Sequence, residues 1–80
     1  MTTYSEIKTA LENHKNTRLQ GTQAQDMQEK FAASFDSFAN KLTEEQMIAY
    51  YEAMKQKVSW VNSVSDFAEF FGNEVFSRCK

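Results

Sequence analysis

The residues that could carry out chemistry are few and lie far apart along the chain. The sequence contains one histidine, His14, and one cysteine, Cys79. A hydrolytic triad needs a nucleophile, a base and an orienting group together, so His14 is the single imidazole available as a base. We expect His14 to end the first helix at the edge of the core. We expect Cys79, next to the end of the sequence, to be a loosely held, exposed thiol, with conjugation or redox chemistry as the alternative.

Acidic pairs are the other groups that could transfer protons. Glu44 and Glu45 are adjacent, and Asp66 is followed by Glu69 three residues later. Each pair falls in the first turn of a predicted helix, where the helix dipole already favours negative charge. One histidine and one cysteine cannot form a structural zinc site, and there is no Gly-rich phosphate loop or EF-hand loop. We therefore predict a protein that is not an enzyme, with no metal, no cofactor and no evident small-molecule substrate.

Composition indicates the class of protein to which these residues belong. The chain has 80 residues, no proline, two glycines and an apolar content of 41%. This composition favours long helices in a single helical domain over residues 1–80. The apolar runs are too short to cross a membrane, and the first residues lack the features of a secretion signal. With the single cysteine, these features predict a cytoplasmic protein. The net charge of −2 argues against direct nucleic-acid binding.

Hydrophobic periodicity predicts an all-α fold with four helices at about residues 4–15, 23–41, 44–61 and 65–78. A polar loop is predicted over residues 15–22. Helix 1 has a narrow apolar stripe, so we expect it to be the least firmly held. Gly72, inside helix 4, predicts either a close helix crossing or a point of fraying. Helix 2 has the clearest stripe, because its apolar residues fall within about 80° on a helical wheel: Ala24, Met27, Phe31, Phe35, Phe38 and Leu42.

Capping sequences predict where the helices begin. The capping-box spacing occurs in four pairs: Thr3 with Glu6, Thr22 with Gln25, Thr43 with Gln46, and Ser63 with Asp66. Leu42 and Met47 also have the spacing of a hydrophobic staple around Thr43. The connection between helices 2 and 3 is therefore very short, and a short connection favours antiparallel neighbours. We predict a small four-helix bundle with a central antiparallel hairpin of helices 2 and 3.

Helix 3 is predicted to be apolar on two sides. One side, which contains Met47, should hold the hairpin together, and the other carries Ala49, Ala53 and Trp60. Small residues allow another helix to approach closely, and tryptophan is favoured at binding hot spots. Either a terminal helix or another molecule covers this second side. Because a chain of this size cannot easily bury all its aromatic side chains, we predict a protein interface formed by Ala49, Tyr50, Ala53, Trp60, Phe70 and Phe76.

These features are typical of a small interaction module that binds a protein partner, a second copy in a homodimer, or both. Small helical proteins without catalytic motifs are often regulators or inhibitors encoded by phages or mobile elements. That association, rather than any residue, favours a regulator or inhibitor that binds a host protein.

Two short segments resemble known families. Asp36-Ser37-Phe38, in an acidic four-helix chain, resembles the attachment site of acyl carrier proteins, and the segment from Ser63 to Ala68 is similar to the start of their last helix. In that family the serine bears a phosphopantetheine arm and opens a helix after a glycine-containing loop, so the resemblance implies Ser37 as the attachment site. Here, however, the apolar stripe places Ser37 in mid-helix.

The segment from Leu42 to Ala53 resembles a helix of the small Hha/YmoA-type nucleoid modulators. This second resemblance implies a small nucleoid-associated modulator as a further alternative.

Overall fold

The computed structural model describes residues 2–78, which form four helices and no β-strand. Helix α1 spans Tyr4–Gly21, α2 spans Gln25–Asn40, α3 spans Glu44–Lys57 and α4 spans Val64–Arg78. The prediction of a small all-α bundle is confirmed. Cys79 lies outside the described residues. None of the described helices has the length and apolar character needed to cross a membrane.

The core is assembled around α4, which buries five residues: Phe67, Ala68, Phe71, Gly72 and Val75. Helices α1, α2 and α3 bury two side chains each. Aromatic rings meet edge to face in this core, with 5.0 Å between the centroids of Phe35 and Phe71. Full burial of such a side chain stabilises a fold by roughly 1.5–3 kcal/mol. The other buried side chains all belong to apolar residues of the predicted helices: Ile7, Leu11, Phe31, Phe35, Met47, Tyr51 and Val61.

Helix α1 is longer than predicted, because residues 15–21 continue it instead of forming a polar loop. The guanidinium of Arg18 lies 5.1 Å from the ring centroid of Phe76 and 5.8 Å from that of Phe31. Lys15 forms a 2.8 Å ion pair with Asp36 of α2. Long cationic side chains can cover apolar surface while their charged ends stay in water. The polar residues that indicated a loop therefore attach α1 to α2 and α4.

The pairing of helices also differs from the prediction. Helix α1 makes its most extensive contact with α4, and α2 and α3 contact each other least of all the helix pairs. The α1–α4 pair, rather than a hairpin of α2 and α3, is thus at the centre, and α1 is not the least firmly held helix. Gly72 makes this possible, because a Cβ atom there would overlap the imidazole of His14. The predicted close helix crossing is confirmed.

Helix α3 ends at Lys57, short of the predicted end at Val61. Val58 is extended, with φ −109° and ψ 113°, and its N–H donates to the carbonyl of Met54. Val61 is fully buried although it lies in the connection between α3 and α4. Its spacing from the apolar residues of α3 matches one more helical turn, which is why the sequence predicted a longer helix. Trp60 therefore lies in this connection and not on the second side of α3.

Three of the four predicted caps are present. Thr43 and Gln46 form a full capping box, Thr3 accepts a hydrogen bond from the N–H of Glu6, and Ser63 accepts one from the N–H of Asp66.

The prediction of a Thr22–Gln25 capping box is wrong. Helix α2 begins at Gln25, and the preceding residue, Ala24, makes no side-chain capping hydrogen bond. Instead, the hydroxyl of Thr22 donates to the carbonyl of Arg18 at 2.9 Å, which satisfies a carbonyl at the C-terminal end of α1.

Candidate functional site

The six residues predicted to form an interface do not form one continuous set of contacts. Ala49 and Ala53 lie on α3, where Ala49 is exposed and Ala53 half-buried. Trp60 and Phe70 contact each other, with 6.2 Å between their ring centroids. Tyr50 and Phe76 pack largely against the protein's own rings. The predicted interface is thus divided between an exposed aromatic pair and side chains that belong partly to the core.

The Trp60–Phe70 pair forms an exposed aromatic surface. Trp60 is 43% exposed, and it is the large apolar side chain exposed among residues 2–78. Phe70 of α4 is half-buried and inclined to the indole at 55°. Buried Val61 fixes the connection directly after Trp60, and the cap at Ser63 fixes the start of α4. The indole therefore extends from an anchored connection and is supported on one side by a ring.

Tyr50 and Phe76 make aromatic contacts within the bundle. The ring of Tyr50 meets that of Phe67 edge to face at 5.3 Å. Phe76 lies 5.9 Å from Phe31, and both rings contact the guanidinium of Arg18. Both side chains nevertheless remain partly exposed, and on Phe76 the cover includes Arg18 of the extended α1.

A groove with a volume of about 180 Å³ opens between α2, α3 and α4. We call it the Phe38 groove. It exists because α2 and α3 contact each other least, so the end of the α2 stripe is only half covered. Its apolar walls are formed by Phe38, Leu42, Tyr50, Phe71 and Val75.

Charged residues also line the Phe38 groove. The ammonium of Lys41 lies 5.0 Å from the ring centroid of Phe38, and the guanidinium of Arg78 lies 5.1 Å from it. Glu74 is the acidic residue of the lining. Burial raises the pKa of Tyr50, the carboxylate of Glu74 raises it further, and Arg78 opposes the rise. The groove thus combines an apolar interior with two cations beside one aromatic ring.

The Phe38 groove was not predicted from the sequence, because the predicted hairpin would have buried Phe38 and Leu42. One signal was present: Lys41 lies between these two apolar residues in the sequence, and Arg78 ends α4. Their meeting depends on how α2 and α4 pack, which periodicity within one helix does not show.

His14 occupies the α1–α4 contact, well inside α1 and not at its end as expected. Its Nε2 atom is buried without a hydrogen-bond partner. Burial lowers the pKa of His14, the charge of Arg18 lowers it further, and Glu69 opposes this effect. A neutral imidazole packed over Gly72 is a core contact between helices, so the expectation that His14 touches the core is met.

Ser37 is the residue that the resemblance to acyl carrier proteins implied as an attachment site. Ser37 is exposed inside α2, and no helix begins at it. Within residues 2–78, no three histidine, cysteine, aspartate or glutamate side chains gather as a metal site.

Comparison of the chain with protein-family models, curated proteins and solved structures found no match.

Proposed function

We propose that this protein is a small, non-enzymatic interaction module that binds a protein partner through the Trp60–Phe70 pair. The observation that carries the proposal is the 43% exposure of Trp60 on an anchored connection. Tryptophan is enriched at hot spots, where a rigid aromatic side chain supplies contact area at low entropic cost. A strict monomer that buried Trp60 in its own core would have contradicted this function, and Trp60 is not buried.

In this proposal, binding regulates or inhibits the protein that the module contacts. A host protein in the cytoplasm, bound by a regulator encoded by a phage or mobile element, is the first partner we propose. A second copy is the other, since two Trp60–Phe70 pairs could pack against each other across a twofold axis. The support for the phage role is the general association of such functions with small helical proteins, and no residue encodes it.

The substitution Trp60→Ala tests this function. Light scattering over a range of protein concentrations measures self-association, and affinity capture with quantitative mass spectrometry measures partner binding. We expect Trp60→Ala to reduce one or both by about tenfold or more, as for a hot-spot residue. The control is Trp60→Phe, which keeps an aromatic ring beside Phe70 and should retain part of the binding. A wild-type protein that is monomeric and captures the same proteins as Trp60→Ala would contradict the proposal.

The emission of the single tryptophan provides a direct readout of the same event. If the indole enters an interface, its fluorescence shifts to the blue when partner or protein concentration rises. An emission maximum that stays constant while a complex forms would place the interface elsewhere on the molecule.

The acyl-carrier alternative depends on Ser37 alone. Its exposure permits modification, but its position inside α2 differs from the helix start that the resemblance requires. Incubation with a phosphopantetheinyl transferase followed by mass spectrometry decides the matter. We expect no added mass, and an arm on Ser37 would favour the carrier function.

A further inference from the structure

The Phe38 groove differs from the Trp60–Phe70 pair in shape and in charge. Sites for small molecules usually have volumes of about 300–1,000 Å³. At about 180 Å³, the groove is better matched to one large apolar side chain than to a cofactor. Its interior is apolar, so a side chain that entered it would leave water for contact with Phe38, Leu42 and Phe71.

The charges around the groove determine which charged residues are favoured next to that apolar side chain in the partner. Two cations, Lys41 and Arg78, and one carboxylate, Glu74, line the groove, so it is locally cationic on a protein whose net charge is −2. Both cations lie within about 6 Å of the Phe38 ring centroid, the range of a cation–π contact, which keeps them beside the opening. Within residues 2–78 the recorded ion pair is Lys15–Asp36, so carboxylates of another molecule can meet Lys41 and Arg78.

We propose that the Phe38 groove binds a short acidic segment of a partner protein, which inserts one large apolar side chain and places carboxylates against Lys41 and Arg78. This inference goes beyond the proposed function, because it concerns a different surface and names the chemistry of the partner that this surface binds. Electrostatic complementarity of this kind provides specificity and faster association.

A second copy of the chain fits the groove less well. Trp60 is the large apolar side chain exposed in the described structure. The residues within three positions of Trp60 include Lys57 and no carboxylate. A copy that inserted Trp60 would therefore bring a like charge towards Lys41 and Arg78.

Three parallel selections from a library of short random peptides test the proposal. The targets are the full wild-type chain, the charge-reversed variant K41E/R78E, and the control K8E/K30E, which has the same change in net charge at exposed positions outside the groove. We expect the wild type and the control to enrich peptides with aspartate or glutamate next to leucine, isoleucine, phenylalanine or methionine. The charge-reversed variant should enrich lysine or arginine instead.

Selected peptides are then synthesised and titrated into labelled protein. We expect NMR shifts at Phe38 and Tyr50, binding that weakens as salt rises, and a loss of affinity of about tenfold or more in K41E/R78E. Replacing the peptide's apolar residue by alanine should have a similar effect. If no groove-binding peptide is enriched, if the enriched peptides are not acidic, or if K41E/R78E binds them unchanged, the inference is wrong. Self-association that shifts Phe38 without peptide would also overturn it, in favour of a second copy.

The variant Trp60→Ala separates this inference from the proposed function. Acidic peptides should bind Trp60→Ala as they bind the wild type, because Trp60 does not line the groove. Loss of partner capture in Trp60→Ala together with intact peptide binding would support both proposals at separate surfaces. Intact capture together with intact peptide binding would leave only the Phe38 groove as a binding surface.

Discussion

At the scale of single residues, His14 and Gly72 fit closely against each other. Alanine is preferred over glycine inside a helix by about 1 kcal/mol, so Gly72 costs α4 stability when α4 is considered alone. The cost is offset because the missing Cβ leaves room for the imidazole of α1. One weak helix position thus permits the most extensive helix contact of the bundle.

This fit predicts that the effect of Gly72→Ala on the free energy of unfolding changes sign with the residue at position 14. In the wild-type background the new methyl group overlaps the imidazole, and we expect a loss of about 1–3 kcal/mol in the free energy of unfolding. In a His14→Ala background the overlap disappears, and Gly72→Ala should stabilise by up to about 1 kcal/mol. Urea unfolding of the four proteins in this double-mutant cycle measures the coupling. Additive effects would show that the imidazole moves away at no cost.

The same histidine predicts how stability depends on pH. Burial, helped by Arg18, lowers the pKa of His14 from its ordinary value of 6.5, so the unfolded chain binds a proton more readily than the folded one. Stability linked to His14 is therefore fully present above pH 6.5 and decreases as pH falls below that value. In the protonated form both ring nitrogens carry an N–H, and Nε2 is a buried atom with no hydrogen-bond partner.

The difference between wild type and His14→Gln isolates this effect from other titrating groups. We expect the free energy of unfolding of the wild type to fall more steeply than that of His14→Gln between about pH 7.5 and pH 5. If the free energy of unfolding of the two proteins, measured with denaturant, falls equally with pH, the imidazole accepts a proton in the folded bundle without loss of stability.

At the scale of helices, the start of α3 is the element that local sequence determines most completely. Thr43 accepts from the N–H of Gln46 at 3.1 Å, and the Gln46 side chain accepts from the N–H of Thr43 at 2.9 Å. We expect Thr43→Ala to cost about 1 kcal/mol, whereas Thr43→Ser keeps the hydroxyl and should cost less than half of that. For a domain of this size, 1 kcal/mol corresponds to roughly 4–8 °C in Tm. Equal melting temperatures for the two variants would show that the cap contributes little.

The features that the sequence could predict are those that depend on residues close together in the chain. The caps at Thr3, Thr43 and Ser63 and the apolar faces of the helices depend on neighbours within one or two turns, and periodicity identifies them. The loop predicted at residues 15–22 failed because Arg18 is held by rings of α2 and α4, distant in sequence. Val61 extended the apolar spacing of α3 while lying in a connection. Of the candidate site, the sequence identified Trp60 and Phe70 but not the Phe38 groove, whose walls come from three helices.

At the scale of the whole molecule, the extended α1 changes the balance between buried and exposed aromatic surface. The radius of gyration of 12.3 Å is close to the value of about 11.6 Å expected for a compact chain of this length. Arg18 of α1 contacts the rings of Phe31 and Phe76, and the two surfaces that we propose for partners are the Trp60–Phe70 pair and the Phe38 groove. We expect two small surfaces of different chemistry to suit protein partners better than a long polyanion.

The distribution of charge leads to the last prediction, which concerns the nucleoid-associated alternative. A protein that binds DNA by neutralising phosphates loses roughly 10³–10⁵ in affinity between 50 and 200 mM salt when it makes 6–10 such contacts. This chain has 9 basic and 11 acidic residues, and the two cations that line the Phe38 groove, Lys41 and Arg78, are fewer than that number of contacts. We expect no binding to labelled duplex DNA by fluorescence anisotropy, even at the low end of that range. Binding that appeared at low salt and fell steeply as salt rose would contradict this prediction, whereas a flat response leaves modulation through a protein partner as the route by which this module could act on a nucleoid.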